Sequence, residues 1–170
     1  MLIIIQARIS SKRLPGKILH ECAGKPILQW VIDRINSLNY PINIVVSTSN
    51  LESDDLLVDY CKSKSINYFR GSLDNVIERF IETSKKFNQK KFIRICGDSP
   101  IIDQNLIKNA MDIEKIVSAD IITNICPRTY PKGQSIELIS LSALEKLYAS
   151  NISYQEMEHV TLGFYNRRES

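Results

Sequence analysis

The chain has 170 residues, a formal net charge of +3 and a hydrophobic share of 44%. Its 22 basic and 19 acidic side chains lack the strong positive excess of a general nucleic-acid-binding protein, and its length suits one domain with a buried core. The apolar run at the amino terminus is too short to span a membrane, and no charged leader precedes it. We therefore expect a single cytoplasmic domain over residues 1–170 that binds neither nucleic acid nor membrane.

The four cysteines predict neither a zinc site nor a disulfide framework. Cys22, Cys61, Cys96 and Cys126 are separated by 39, 35 and 30 residues, with no CxxC pair and no neighbouring histidine. Most of them fall within or beside apolar stretches, where cysteine packs as a small hydrophobe. We expect reduced thiols in a cytoplasmic protein.

Apolar strand-like runs alternate with segments of helical periodicity along the chain. Six strands are predicted, at residues 2–6, 42–48, 67–70, 91–96, 120–124 and 135–139. Helical stripes lie in four of the intervals, beginning near residues 27, 56, 76 and 106. This alternation predicts a three-layer α/β/α fold with a mainly parallel sheet. Ligands of such sheets bind at the carboxyl ends of the strands, so the loops that follow strands are the candidate functional segments.

The loop after the first strand, RISSKRLPGK over residues 8–17, holds four cations within ten residues. Its Pro-Gly bend can direct Arg8, Arg13 and Lys17 toward one centre, and Gly16 lets backbone N–H groups approach phosphate oxygens. Arginine offers a fork matched to phosphate, and lysine offers a compact point charge. A solvated basic turn is the alternative, because the glycine spacing of a P-loop or a dinucleotide-binding fold is missing.

A second candidate loop, RICGDSP over residues 94–100, follows the fourth predicted strand. Asp98 stands at the carboxyl end of that strand, where a carboxylate can hold Mg²⁺ together with substrate phosphates. The alternative is that Gly-Asp-Ser-Pro is simply turn chemistry. The combination of a basic loop and a carboxylate favours the metal site, because phosphoryl-type transfer requires both parts.

Three further segments carry polar residues of interest. Glu137 ends the segment YPKGQSIE within an apolar run, so it is either exposed at a sheet edge or directed into a polar site. Ser47 lies at the end of the second strand, where hydroxyls commonly cap helices. His159 lies near the carboxyl terminus, where a lone histidine is more often structural than catalytic.

Four motifs extend over nearly the whole chain. R-x-x-S-x-R-L-P-G-K is matched at residues 8–17, R-G-S followed by D-x-V-x-x-R at 70–79, R-I-x-G-D-x-P at 94–100 and E-H-V-T at 158–161. In these motifs the chain resembles the cytidylyltransferases that activate acidic sugars, such as the CMP-KDO and CMP-sialic acid synthetases. Within that group it is most similar to the branch of spore-coat polysaccharide biosynthesis proteins.

The resemblance implies a nucleotide-diphospho-sugar transferase fold with a Rossmann-like sheet, and transfer of CMP from CTP to an acidic sugar with release of pyrophosphate. It implies Mg²⁺ as the cofactor, bound by Asp98. The catalytic residues that it implies are Arg8, Arg13, Lys17 and Asp98. The implied substrate-binding residues are Ala7, Ser11, Gly16, Ser47, Arg70, Arg94, Glu137 and His159.

Two departures from the family pattern stand beside this expectation. Members of the branch often have P-x-G-x-D-x-E in the third loop, and Ser135 takes the place of that aspartate here. The chain also ends soon after the E-H-V-T motif, so we expect a domain shortened at its carboxyl end relative to the family. A homodimer is an expectation from the family alone, since the segments that usually form it come later.

Three other functions remain open at this point. One is a nucleotidyltransferase with another base, or with a phosphate or phosphonate acceptor, because the basic loop and Gly-Asp turn would look the same. Another is a catalytically silent nucleotide-binding module. A small RNA-binding domain would need an aromatic, basic sheet face, for which an 8% aromatic content gives no support.

Overall fold

The computed structural model describes residues 1–11 and 14–167, and Arg13 lies outside these ranges. The strands are β1 (Leu2–Gln6), β2 (Glu21–Cys22), β3 (Lys25–Pro26), β4 (Asn43–Ser49), β5 (Asn67–Gly71), β6 (Lys91–Cys96), β7 (Ile121–Thr123) and β8 (Glu137–Ser140). The α-helices are α1 (Ile27–Asn36), α2 (Asp55–Ser63), α3 (Val76–Lys86), α4 (Gln104–Glu114), α5 (Leu141–Ala149), α6 (Tyr154–Glu158) and α7 (Leu162–Asn166). Short 3₁₀ helices cover Lys17–Leu19 and Glu52–Asp54.

The main sheet has six strands in the order β5-β4-β1-β6-β8-β7. Strands β5, β4, β1 and β6 are parallel, and β8 pairs antiparallel with both β6 and β7. The parallel pairs are joined through helices, as parallel connections require. Consequently the carboxyl ends of β4, β1 and β6 lie side by side at one edge of the sheet.

Strand β1 shows why the sheet carries helices on both faces. Its alternate side chains enter two different apolar clusters, since successive residues of a strand point to opposite faces. Ile3 and Ile5 pack in a cluster with residues of α1, α2 and α4, whereas Leu2 and Ile4 pack in a second cluster with residues of α3 and α5. All four side chains are fully buried, as expected for the centre of a three-layer α/β/α fold.

The predicted strands at 2–6 and 91–96 coincide with β1 and β6, and the others are displaced by one or two residues. The small hairpin of β2 and β3 was not predicted, because two-residue strands leave no periodic signal. No disulfide joins the four cysteines, all of which lie in the described residues, and Cys22 is exposed. Within residues 1–11 and 14–167 no helix has the length and apolar character needed to cross a membrane.

Candidate active site

A pocket opens at the carboxyl ends of the parallel strands, beside the basic loop. Within the described ranges its lining residues are Gln6, Ala7, Arg8, Ser11, Lys17, Ile18, Leu73, Val76, Arg79, Cys96, Asp98, Glu158 and His159. Six of the residues predicted from sequence are therefore brought together here, since Ala7, Arg8, Ser11, Lys17, Asp98 and His159 are among them. The roles predicted for them remain predictions.

The basic loop folds back on itself through Gly16. Gly16 has φ of 72°, a left-handed conformation that glycine adopts without strain, and its N–H donates to the carbonyl of Ile9 at 2.9 Å. Gly16 is thus the turn residue of this loop, and it is not among the described residues that line the pocket. The bend returns the chain so that Lys17 lies opposite Arg8 on the same pocket.

Two of the cations that line the pocket, Lys17 and Arg8, have carboxylate partners of different closeness. Lys17 Nζ forms an ion pair with the Asp98 carboxylate, whose side chain is 41% exposed. Arg8 has a looser partner in Glu158, with 3.9 Å between Nη2 and Oε1. Exposed pairs of this kind stabilise a fold by about 0–1 kcal/mol, so both cations can be redirected to an anionic ligand at small cost.

Gly97 explains how Asp98 reaches the basic loop. A Cβ atom on Gly97 would lie 3.1 Å from Ala7 Cβ, 3.2 Å from Gln6 O and 3.2 Å from Ile18 Cδ1. A side chain at position 97 would therefore require these neighbours to shift by a few tenths of an ångström, and glycine avoids that shift where the end of β6 lies against the end of β1. The Gly-Asp dipeptide thus places a carboxylate beside Lys17.

Asp54 holds the basic loop in place through a buried carboxylate. Its carboxylate is fully buried and accepts hydrogen bonds from the Ile9 N–H at 2.7 Å, Thr48 Oγ1 at 2.8 Å, and the Ser49 N–H and hydroxyl. Burial alone would raise the pKa of this carboxyl, but the hydrogen bonds from Ser49, Ile9 and Thr48 outweigh burial and lower the pKa. Asp54 therefore joins the residue after Arg8 to the end of β4.

We expect Asp54→Asn to lower the free energy of unfolding by about 2–3 kcal/mol, because an amide cannot accept all four donors and leaves buried ones unpaired. The 8–17 loop should also lose its anchor and become more accessible to trypsin. Denaturant unfolding and limited trypsin digestion with mass spectrometry would measure both effects. Asp55→Asn is the matched control, since Asp55 is exposed and its pair with Arg70 contributes at most about 1 kcal/mol. Equal behaviour of the two variants would contradict the anchoring role.

Two residues predicted to bind substrate form a buried ion pair beside the pocket. Arg94 Nη1 contacts Glu137 Oε2, and the exposed fractions of their side chains are 15% and 2%. Arg94 Nε also donates to Gln6 Oε1 at 3.0 Å, which ties the pair to a pocket residue. Burial alone would lower the pKa of Arg94, but the Glu137 carboxylate outweighs burial and raises it.

Glu137 also holds the carboxyl-terminal segment. Its other oxygen accepts hydrogen bonds from the hydroxyls of Thr161 and Tyr165, the latter at 2.7 Å. Burial and the Glu137 carboxylate both raise the pKa of Tyr165, which keeps its phenol protonated. Of the two interpretations open for Glu137, the structure gives the polar environment rather than an exposed edge.

Ser47 and Arg70 lie outside the pocket lining. Ser47 is fully buried, and its hydroxyl accepts a hydrogen bond from Arg79 Nε at 3.2 Å. Arg70 is directed to the carbonyls of Ser49 and Leu51 at 3.1 and 2.7 Å, and to Asp55. Both residues support the ends of β4 and β5, and their substrate contacts stay predictions. The predicted role of Arg13 falls outside the described residues.

The pocket offers cations and a carboxylate rather than an activated nucleophile. Burial raises the pKa of Cys96, the cysteine that lines it, so this side chain remains a thiol at neutral pH. Within the described ranges no group of three His, Cys, Asp or Glu side chains could hold a metal ion unaided. The chemistry that this arrangement favours is binding and charge neutralisation of a phosphate-bearing ligand.

Cations gathered with the carboxylates of Asp98 and Glu158 at the carboxyl ends of parallel strands place this chain among the α/β proteins that have a ligand pocket at the strand ends. A family model described as "Cytidylyltransferase" matches residues 2–162. The chain therefore belongs to the cytidylyltransferase family, which confirms the resemblance found in its motifs.

Two relatives show how much of a longer protein the chain matches. It is 32% identical over 162 residues to the uncharacterized protein MJ1063 of Methanocaldococcus jannaschii, covering 95% of this chain and 65% of that protein. It is 30% identical over 178 residues to the spore coat polysaccharide biosynthesis protein SpsF of Bacillus subtilis, covering 98% and 70%. The chain thus spans roughly two thirds of the length of these relatives.

Solved structures confirm the predicted fold class. A cytidylyltransferase from Leptospira borgpetersenii superposes with a TM-score of 0.93 at 32% identity, covering 99% of this chain and 72% of that one. A CMP:2-keto-3-deoxy-manno-octonic acid synthetase complexed with CTP superposes with a TM-score of 0.73 at 19% identity, covering 97% and 85%. At that identity the second likeness establishes the fold alone.

Proposed function

We propose that residues 1–170 form one nucleotidyltransferase domain that transfers CMP from CTP to an acidic sugar or a related acceptor. The observation that carries this proposal is the convergence of Arg8, Lys17 and Asp98 on one pocket at the strand ends. Family membership supports the nucleotidyl transfer. The name of one relative, a spore coat polysaccharide biosynthesis protein, supports an acceptor used in surface polysaccharide synthesis. A structural neighbour complexed with CTP supports CTP as the donor.

The basic loop is proposed to hold the triphosphate. Arg8 can form two parallel hydrogen bonds to phosphate oxygens, and Lys17 can add a point charge once it leaves Asp98. Ser11 lines the same pocket and offers a hydroxyl donor. Arg13, which the motif places in the same group, is proposed to assist them.

Asp98 fits the Mg²⁺ that the family implies. It supplies one carboxylate that reaches the pocket, and Mg²⁺ commonly takes one or two carboxylates and completes its shell with substrate phosphates and water. When bound, the ion would neutralise phosphate charge and polarise the phosphoryl oxygens. Displacement of Lys17 from Asp98 by the triphosphate frees the carboxylate for this role.

In the proposed reaction an oxygen of the acceptor attacks the α-phosphorus of CTP in line. A new P–O bond forms to the acceptor, whose hydroxyl proton is released to water, while the bond between the α-phosphorus and the bridging oxygen breaks and pyrophosphate leaves with that electron pair. Catalysis then comes from positioning and charge neutralisation by Arg8 and Lys17. Glu158 and His159, which also line the pocket, are proposed to contact the acceptor.

Thermal unfolding with CTP, UTP, ATP and GTP, each with and without Mg²⁺, tests this function. Ligand at about a hundred times its dissociation constant stabilises the folded state by roughly 2.7 kcal/mol, a shift of about 5–10 °C for a domain of this size. We expect the largest shift with CTP and Mg²⁺. A larger shift with another nucleotide would change the base assignment, and no shift with any of them would contradict the proposal.

A further inference from the structure

Arg79, on α3, is a buried guanidinium that forms no ion pair with a carboxylate of the described residues. Its side chain is 1% exposed, and the groups that it contacts are neutral: Nη1 donates to Ser72 O at 2.5 Å and Nε donates to Ser47 Oγ at 3.2 Å. The carboxylate that acts on it electrostatically is Asp54, which is already occupied by four other donors. A buried cation in this state is costly to the fold, which suggests that a ligand supplies the missing negative charge.

The remaining nitrogen of Arg79 has no protein partner among the described residues. Its Nε and Nη1 donate hydrogen bonds, but Nη2 makes none to the described residues. Among those residues Ser10 Oγ is the one fully buried side-chain nitrogen or oxygen without a partner, so Nη2 is not completely enclosed. Because Arg79 lines the pocket, this free donor is available at the pocket wall.

The residues at the end of β5 pack closely against the side chain of Arg79. A Cβ atom on Gly71 would lie 2.8 Å from Arg79 Cγ and 3.2 Å from Arg79 Cβ, so glycine is required where the stem crosses the end of β5. The next residue, Ser72, supplies the carbonyl that accepts from Nη1. Gly71 and Ser72 of the R-G-S motif thus hold Arg79, the arginine of D-x-V-x-x-R, in place at the pocket.

Arg8 adds a second guanidinium to the same part of the pocket. Burial lowers the pKa of Arg79 to about 10, and the positive charges of Arg8 and Arg94 act in the same direction. Arg79 nevertheless stays protonated at neutral pH. Two arginines that repel each other across a pocket are both stabilised by an anion that lies between them.

We propose that Arg79 binds an anionic oxygen of the substrate, together with Arg8. This proposal rests on the proposed function for the identity of the ligand. The oxyanion belongs either to a phosphate of the nucleotide or to the carboxylate of the acceptor. Arg79 would then be a direct substrate contact that the fold retains at the expense of stability.

The test compares wild type with Arg79→Met and Arg79→Lys. Ser84→Ala is the matched control, because Ser84 is buried on the same helix and donates to Gln89 O at 2.8 Å, away from the pocket. The probes are inorganic pyrophosphate and CTP, measured by calorimetric binding, and 2-keto-3-deoxy-manno-octonic acid, measured through its KM in the transfer assay. Thermal unfolding of each variant gives the stability readout.

We expect Arg79→Met to weaken one probe by about tenfold or more, with a smaller loss in Arg79→Lys and none in Ser84→Ala. Weaker CTP and pyrophosphate binding assigns Arg79 to phosphate, whereas a raised KM for the sugar acid at unchanged CTP affinity assigns it to the carboxylate. Arg79→Met should keep its melting temperature within about 5 °C of wild type, because the desolvation cost of the cation disappears.

Three outcomes would overturn the proposal. The first is an Arg79→Met variant that binds all probes as the wild type does. The second applies if Arg79→Met fails to fold, and is an Arg79→Lys variant with unchanged binding. The third is a wild type that binds none of the probes. A wild type that binds pyrophosphate through Arg79 but shows no preference for CTP would uphold this proposal and contradict the cytidylyltransferase activity.

Discussion

Asp98→Asn is expected to reduce CTP turnover by about 10²–10³-fold, the loss typical for removal of one preorganised electrostatic group. The amide is nearly the same size as the carboxylate but carries no charge to hold Mg²⁺. The variant should fold normally, since the Lys17–Asp98 pair is partly exposed and contributes about 0–1 kcal/mol. Pyrophosphate release at several Mg²⁺ concentrations is the measurement, and the variant should need more of the ion.

Asp103→Asn is the control for this experiment. Asp103 is close in sequence and caps α4 by accepting from the Asn105 N–H at 2.8 Å, but it does not line the pocket among the described residues. Asparagine is an equally good cap, so neither turnover nor stability should change appreciably. If Asp98→Asn turned CTP over as fast as Asp103→Asn, Asp98 would have no part in the reaction.

Glu137→Gln is expected to produce a large loss of stability. It leaves the buried Arg94 without its counter-charge, and breaking such a pair costs about 3–5 kcal/mol. For a chain of this length the melting temperature should fall by roughly 6–20 °C. Thermal and urea unfolding would measure the change. Glu145→Gln, which breaks the exposed Lys85–Glu145 pair, should lower stability by at most about 1 kcal/mol.

A double variant separates loss of the pair from loss of one partner. Arg94→Leu combined with Glu137→Leu removes both charges, and apolar replacements of buried pairs are often neutral or stabilising. We expect the double variant to be more stable than Glu137→Gln, although the hydroxyls of Thr161 and Tyr165 lose their acceptor. A double variant less stable than the single one would show that those hydroxyl contacts outweigh the ion pair.

The layered architecture could be predicted from sequence because its signals are local. An apolar, β-branched run such as LIII identifies a buried strand by itself, and β1 and β6 were located to the residue. The direction of β8 had no such signal. Its neighbours in the sheet are β6 and β7, and each is separated from β8 by a long stretch of chain. The pairing with these strands, rather than the sequence of β8 itself, fixes its antiparallel orientation.

The site divides in the same way between local and distant signals. Arg8 and Asp98 come shortly after β1 and β6, and Lys17 ends the loop that follows β1, so the topology rule for α/β sheets predicts that they lie together. Asp54 carries no such signal, because nothing near it in the chain indicates a contact with Ile9. Arg70 and Arg79 are nine residues apart in the same motif region, and the sequence alone does not distinguish them. In the structure Arg79 packs against Gly71 and lines the pocket, whereas Arg70 does not line it.

The central position of β1 has a consequence for synthesis on the ribosome. Both of its neighbours, β4 and β6, come later in the chain, and β6 ends at Cys96. At about 5–20 residues per second, some 5–20 s pass before β6 has been translated and β1 can be paired on both edges. One backbone edge of the LIII segment can pair once β4, which ends at Ser49, has been made, but the edge that pairs with β6 stays exposed to other nascent chains until the end of that interval. A chaperone that shields this segment during synthesis should therefore raise the yield of folded protein.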